Sequence, residues 1–323
     1  MRNQSVRAVC AVAVTVLVPM PVATQDLPRT AWGDPDLRGI WTNTTTTPLE
    51  RPDDLAGQEV LTDEERIARD EERARNADRP PPPGQTGAYN DFWFERGTLS
   101  ARTSLIVDPV DGKLPLFTPT AADRAETIRV RRYSSERDSV DSFHLYDRCL
   151  TRAMPGTMMP GFYNHNYNIL QTSDYVVIQV EMIHDSRIIP LDGRSHISPT
   201  IRQWLGNSRG HWEGDTLVVE TTNFTEKARE QRVEMANVVF GISEHMRLVE
   251  RFTRVDDDTL MYQLTIEDPV KFTKAWTVEV PLTKLDQPFL EYACHEGNYG
   301  VIHTLSGARS QEQEAAESSN RPR

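Results

Sequence analysis

The stretch RLVERFTRVDDDTLMYQLTIED, residues 247–268, constrains the fold more than any other part of the chain. In its second half Leu260, Tyr262, Leu264 and Ile266 take alternate positions, with Met261, Gln263, Thr265 and Glu267 between them. A period of two puts one set on each face of a strand, so this is a strand with one apolar side. The aspartates at 256–258 interrupt the run of strand formers before it and supply the turn of a hairpin. AWTVEVPL repeats the alternation with Trp276, Val278 and Val280 inward. GHWEGDTLVVETTNF reads as a second hairpin, turning at Glu213 and Gly214, and NILQTSDYVVIQVEMI as two strands joined near Ser173 and Asp174. Successive hairpins with few helices between them imply a mainly β fold, an antiparallel sheet closed into a barrel or folded as a sandwich, and argue against βαβ units.

Outside these hairpins the chain divides into an arm, a core and a tail. AWGDPDLRGIWTNTTTTPLERP is extended, with one short strand at Gly39, Ile40 and Trp41. LTDEERIARDEERARNAD carries Thr62 and Glu65 at capping-box spacing and few apolar residues, which predicts a solvated surface helix. The proline-rich run at 79–87 is a stiff linker. Residues 24–98 thus form an N-terminal arm and 99–309 the antiparallel domain. Within the domain SLIVDPVDGKLPLF is a strand and an Asp-Gly turn, and a helix capped by Thr118 follows. SPTIRQWLG is expected to be a short helix stopped by Gly206, and the polar residues 310–323 a disordered tail.

The first 23 residues carry Arg2 and Arg7 ahead of an apolar run from Ala8 to Val18, with small residues including Ala23 after it, the layout of an export signal. The run is shorter than the roughly 20 residues that span a bilayer, and no later segment is long enough, so no integral membrane segment remains once the signal is removed. A periplasmic or secreted location follows. Removing the signal removes Cys10 and leaves Cys149 and Cys294, an even count that points to one disulfide. A zinc site built on both thiols and His295 is the poorer reading, because an oxidising compartment favours the bridge. The formal net charge of -12 excludes nucleic acid and anionic membrane as partners, since both need a basic face.

Two short motifs carry resemblances. Gly39-Ile40-Trp41 resembles the G-x-W of a first lipocalin strand, and Ser173-Asp174-Tyr175 the T-D-Y of a later one. That likeness implies a lipocalin- or calycin-like barrel. The longer strings RGHWEGDTLVVETTNF and EYACHEGNYG resemble segments of a family of predicted exported bacterial proteins, over about Asp36 to Arg309. This resemblance implies export and a β architecture, and it transfers no catalytic residue.

A Cys149–Cys294 bridge places FHLYDRCLTR beside EYACHEGNYG, which gathers His144, Asp147, Arg148 and Arg152 near His295, Glu296 and Tyr299. There His295 is the expected proton shuttle, Glu296 or Asp147 its orienting acid and Arg148 the stabiliser of developing negative charge. A structural ion-pair network around the bridge is the alternative. MPGTMMPGFYNHNYN, with His165 at its tip, is a loop that either closes a barrel mouth over a ligand or plugs it. In MIHDSRIIPLDGRSH, His184 continues an apolar strand face, while Asp185 and Arg187 are the members expected to reach a cavity.

Zinc-protease, nucleophile-elbow, phosphate-loop and dinucleotide motifs are all missing, so neither metal nor cofactor is expected. The first functional reading is a barrel that binds a small organic molecule, carboxylated or polyhydroxylated, with His144, Arg152, His165, Tyr299, Asp185 and Arg187 among its contacts. The second is a cofactor-independent acid–base enzyme, a lyase, isomerase or hydrolase, on the same barrel. The third is an envelope scaffold without a pocket.

Overall fold

In the computed structural model the described residues are 27–77, 80, 83, 91–125, 137, 139–161, 163–228, 232–233, 238–239 and 243–319. The export signal read at 1–23 and nearly all of the proline-rich linker lie outside them. The strands are β1 (Gly39–Thr42), β2 (Ile106–Asp108), β3 (Asn166–Gln171), β4 (Tyr175–Val180), β5 (Ser186–Pro190), β6 (Asn207–Glu213), β7 (Thr216–Thr222), β8 (Arg232–Val233), β9 (Val238–Val239), β10 (Arg247–Arg254), β11 (Thr259–Glu267) and β12 (Trp276–Leu285). Helix α1 (Asp63–Ala77) lies between β1 and β2, and α2 (Gly300–Ser319) follows β12.

The main sheet runs β5-β4-β3-β1-β12-β11-β10-β7-β6, with β2 added beside β12 and β8-β9 as a separate hairpin. Every ladder along that path is antiparallel. The two path ends, β5 and β6, lie against one another, so the sheet curls into a nearly closed barrel, with β1 inserted between β3 and the last strand β12. At this seam closure stops short of a ladder. Eight antiparallel steps separate β5 from β6, so these neighbours run parallel. A parallel pair needs a long return connection, and residues 191–206 supply it.

Close packing and side chains seal this seam. A Cβ on Gly210 of β6 would lie 2.7 Å from Leu191 Cδ2 and 2.9 Å from Ile189 Cγ2, so a larger residue there makes these side chains shift as β6 approaches β5.

The alternation read in the sequence is the alternation of the barrel wall. Leu260, Tyr262, Leu264 and Ile266 on β11 and Trp276, Val278 and Val280 on β12 are buried in one core with Trp41, Tyr167, Ile178 and Phe252. The arm is part of this core, because β1 sits between β3 and β12. Trp41 is fully buried, and its Nε1 donates to Leu37 O at 3.0 Å. Gln171 ties Leu37 N and Pro35 O to β3, which closes the end of the barrel where β3 finishes. The capping box forms as read: Glu65 N donates to Thr62 Oγ1 at 3.2 Å and Thr62 N to Glu65 Oε2 at 2.8 Å. Helical residues 119–125 start at Thr118, whose Oγ1 accepts from Ala121 N.

Three expectations are corrected. SPTIRQWLG is not helical, because the Asn223 side chain donates to the carbonyls of Ile197, Ser198 and Ile201 and Gln203 N bonds Asn223 O. The segment is thereby tied to the end of β7 instead of to itself. Residues 310–319 belong to α2, a run rich in Glu, Gln and Ala, which are strong helix formers. The strand alternation read through Met182 and His184 ends at Val180. Glu181 takes a helical conformation and Ile183 a left-handed one (φ 62°), so Met182 and Ile183 are both buried while His184 is exposed.

Candidate functional site

Two polar constellations stand out against this apolar wall. The first is inside the barrel. Arg187 on β5 faces inward with Ile189 and donates to both carboxylate oxygens of Glu250 on β10, at 2.8 Å to Oε1. Longer bonds of 3.4 Å reach Ser208 Oγ and Thr221 Oγ1, which also bond each other at 2.9 Å. Tyr262 OH donates to Glu250 Oε1 at 2.9 Å. Burial disfavours the Arg187 charge, but the Glu250 carboxylate more than offsets this and holds the guanidinium protonated. Burial, reinforced by Glu250, pushes the Tyr262 hydroxyl well above its ordinary range, so it stays a donor. Both oxygens of Glu250 are therefore met, and the group stitches β5, β6, β7, β10 and β11 together across the seam.

The second constellation lies at the end where β1 and β4 finish and β3 and β5 begin. Residues 151–160 are all buried there, so the methionine-rich loop is a plug, with Met154, Met158 and Met159 in the barrel core. The wall grips its main chain. Asn43 Nδ2 donates to Met158 O at 3.1 Å and to Tyr167 OH at 2.6 Å, and Tyr167 OH donates to Thr157 O at 3.2 Å.

Around the plug the polar groups are desolvated. Arg152 Nη1 meets His165 Nε2, both residues being buried, and the guanidinium lies 5.3 Å from the Tyr146 ring centroid. Burial, with Arg152 adding to it, drives the His165 proton affinity well below the usual histidine range, so the ring is neutral. Its place depends on Gly161, where a Cβ would sit 1.9 Å from His165 Nε2. Glu181 is buried and accepts from Asn164 Nδ2 at 2.9 Å and Asn166 Nδ2 at 2.6 Å. Glu95 reaches the same place, taking the backbone N–H groups of Asn164 and His165. Burial is the chief cause of its raised proton affinity, and Glu181 adds to it. Burial likewise raises Asp185, whose Oδ2 accepts from Thr151 Oγ1 at 2.8 Å.

Two observations set this end apart. Asn43 Oδ1, Asn166 Oδ1 and Glu95 Oε2 are buried acceptors without a donor. In addition, five of the six described non-glycine residues with left-handed backbone, Cys149, Ala153, Asn164, Ile183 and His184, cluster here. For a β-branched residue such as Ile183 that conformation is an outlier, and strain of this kind gathers at functional sites.

The residues singled out in the sequence divide between several places. Cys149 and Cys294 face each other in disulfide geometry with Cα atoms 5.7 Å apart. Around them Asn298 Nδ2 donates to Asp147 O and His184 Nδ1 lies 3.3 Å from Tyr292 O. His295, Glu296, Asp147 and Tyr299 are exposed, His144 is half-buried, and Arg148 pairs with Asp141 at 2.9 Å. Arg152, His165 and Asp185 belong to the plugged end, whereas Arg187 belongs to the interior ion pair. The sequence places Asn166 at the tip of the methionine-rich loop and Glu181 on the strand face that a cavity would see, whereas Glu95 and Asn43 are not candidate site residues there.

Among the described residues no cluster of histidine, cysteine and carboxylate side chains is arranged to hold a metal ion, and no helix is long and apolar enough to cross a membrane. An open surface depression of about 360 Å³ is lined by Arg51, Glu59, Val110, Asp111 and Lys113 and by no residue of either constellation. No family model matches the chain, and no curated protein matches it in sequence.

Proposed function

We propose that this protein is an exported β-barrel that binds a small hydroxyl-rich organic molecule at its plugged end. The observation that carries this reading is the convergence of unpaired buried acceptors, Asn43 Oδ1, Asn166 Oδ1 and Glu95 Oε2, beside the Glu181 carboxylate. A buried acceptor left without a donor costs about 1–3 kcal/mol, and hydroxyl groups of a ligand remove that cost. The same acceptors repel a carboxylate, so the polyhydroxylated class is favoured over the carboxylated one. The layout of residues 1–23, the acidic charge and the Cys149–Cys294 pair support export.

A specific observation favours acid–base catalysis as the second reading. Glu95 and Glu181 are neighbouring carboxyls in unlike surroundings, one lacking a partner for an oxygen and the other held by two amides. Environments that separate two carboxyls in this way assign an acid and a base.

Calorimetric titration of the full chain with neutral polyols and monosaccharides, alongside mono- and dicarboxylates, tests the binding reading. Neutral polyhydroxyl compounds bind, and Glu95→Gln, which replaces an acceptor oxygen by a donor, weakens them by about tenfold or more. Binding of carboxylates alone, or binding indifferent to Glu95→Gln, overturns it. Chemical change in a bound polyol, lost with Glu95→Gln, selects the enzyme.

A further inference from the structure

The depression beside Arg51 and Val110 holds a charge that the protein does not pair. Arg51 is 5% exposed, and its guanidinium is fixed from two sides: Nε donates to Thr103 Oγ1 at 3.0 Å and Nη1 to Val110 O at 3.1 Å. Thr103 Oγ1 in turn donates to Gln58 O at 2.6 Å, and Arg51 N donates to Gly112 O at 2.8 Å. Gly112 has left-handed backbone (φ 70°), and a Cβ there would fall 2.6 Å from Ser104 Oγ and 3.2 Å from Arg51 Cζ, so the guanidinium lies against the turn at 109–112. Both of its acceptors are neutral oxygens. No carboxylate pairs with Arg51 among the described residues, and its Nη2 has no partner yet is not sealed from solvent. That nitrogen therefore opens on the depression, which Arg51 lines.

A buried charge is costly unless an opposite charge meets it. A structural tie between the arm and the turn uses Nε and Nη1 alone and leaves the charge and Nη2 over. Lys113, on the same wall, is already paired with Asp53 at 2.7 Å, which makes Arg51 the cation left for an anion from outside. The rest of the wall decides which anion. Ala56, Gly57 and Val110 present apolar surface, and the Val110 side chain is 73% exposed. Glu59 and Asp111 are exposed at the same depression, and two carboxylates repel a dianion such as phosphate more than a singly charged group. The ligand that fits has one negative charge and a short hydrocarbon part.

We infer that this depression is a second binding site, where a small monocarboxylate sets its carboxylate on Arg51 Nη2 and its hydrocarbon chain against Val110 and Ala56. It does not depend on the binding function proposed for the plugged end.

Calorimetry on the full chain with acetate, propionate and butyrate, and with butyramide and phosphate for comparison, tests it. The carboxylates bind with millimolar affinity and tighten along the series by up to about fourfold per methylene, phosphate binds more weakly than butyrate, and butyramide does not bind. Arg51→Gln weakens butyrate by about tenfold or more. Val110→Glu, a change at an exposed side chain that leaves Arg51 in place, also weakens it by adding a like charge, whereas Glu95→Gln at the plugged end leaves it as in the parent. Butyrate and butyramide bound alike, phosphate bound more tightly than butyrate, or no butyrate binding at about 50 mM overturns the inference. So does butyrate affinity unchanged in a folded Arg51→Gln chain; where that variant does not fold, unchanged affinity in Val110→Glu overturns it alone.

Discussion

Removing the guanidinium of Arg187 measures how the barrel holds its open seam. The Arg187 side chain is 2% exposed and that of Glu250 is fully buried, so Arg187→Met strands a carboxylate in the core with Tyr262 OH as its remaining donor. Breaking a buried pair from one side costs about 3–5 kcal/mol. Against a total stability of about 5–15 kcal/mol, that is a large fraction of the whole.

Arg187→Met with Glu250→Leu removes both charges and leaves the Tyr262 hydroxyl unpaired, at a cost of about 1–3 kcal/mol. Adding Tyr262→Phe removes that cost as well, and the triple variant returns close to the parent or above it, because an apolar core of similar volume replaces a buried ion pair without loss. Urea unfolding with a common m-value reads these differences. Strictly additive losses along the series, or a single-variant cost under about 1 kcal/mol, refute the reasoning.

Two further outcomes follow from the plugged end and its staple. Reducing Cys149–Cys294, or replacing both residues by serine, lowers stability by about 2–5 kcal/mol because the bond closes a loop across a separation of 145 residues. An unchanged unfolding midpoint under reductant contradicts this. For His165 the sign is fixed by its lowered proton affinity: below the ordinary value of 6.5 the unfolded chain takes a proton that the folded chain refuses, so stability falls as pH drops. The slope reaches about 1.4 kcal/mol per pH unit. Glu95 and Asp185, both raised, act in the opposite sense closer to carboxylate values, and they are common to parent and variant. Comparing the parent with His165→Asn between about pH 7 and pH 5 isolates the histidine, and the variant has the shallower decline. Equal slopes show that His165 titrates freely when folded.

The wall of the barrel was legible because its signal is local. Leu260 to Ile266 and Trp276 to Val280 report their faces by alternation, and the turns at Gly214 and at 256–258 mark the hairpins. The capping box at Thr62 and the Cys149–Cys294 pairing were read from spacing and count. The site was legible only in part. Arg152, His165 and Asp185 stood out as ionisable residues near strand ends. Glu95 and Asn43 come from the arm; the resemblance at Gly39-Ile40-Trp41 hinted that the strand before Asn43 belongs to the barrel, but nothing near Glu95 shows that it reaches Asn164 and His165. The alternation also breaks at Glu181, where helical backbone followed by left-handed Ile183 and His184 shifts the phase, so that Arg187, expected to reach a cavity, packs in the core against Glu250. A strand pattern carries no information about such a break, because the break is set by contacts with a distant plug.

The two polar constellations differ in their acceptors: Arg187 Nε is a buried donor without a partner, but every carboxylate oxygen of the interior pair is met. Inside the barrel the Glu250 oxygens each have donors and the serine and threonine hydroxyls close on one another, so that group has its work in the wall: it replaces the missing ladder between β5 and β6. At the plugged end the bonds that fix the plug are complete, as Asn43 Nδ2 and Tyr167 OH show, yet acceptor oxygens of Asn43, Asn166 and Glu95 stay empty on the same scaffold. A fold optimised for stability alone would fill those positions with apolar groups, since each unmet acceptor costs more than the hydrogen bond it forgoes. Strained backbone at Ile183 and Asn164 adds to that cost in the same place. Under the proposed function a bound molecule, rather than the protein, completes this network, which is why the acceptors at the plug, and not the stronger ion pair at the seam, are the groups to test.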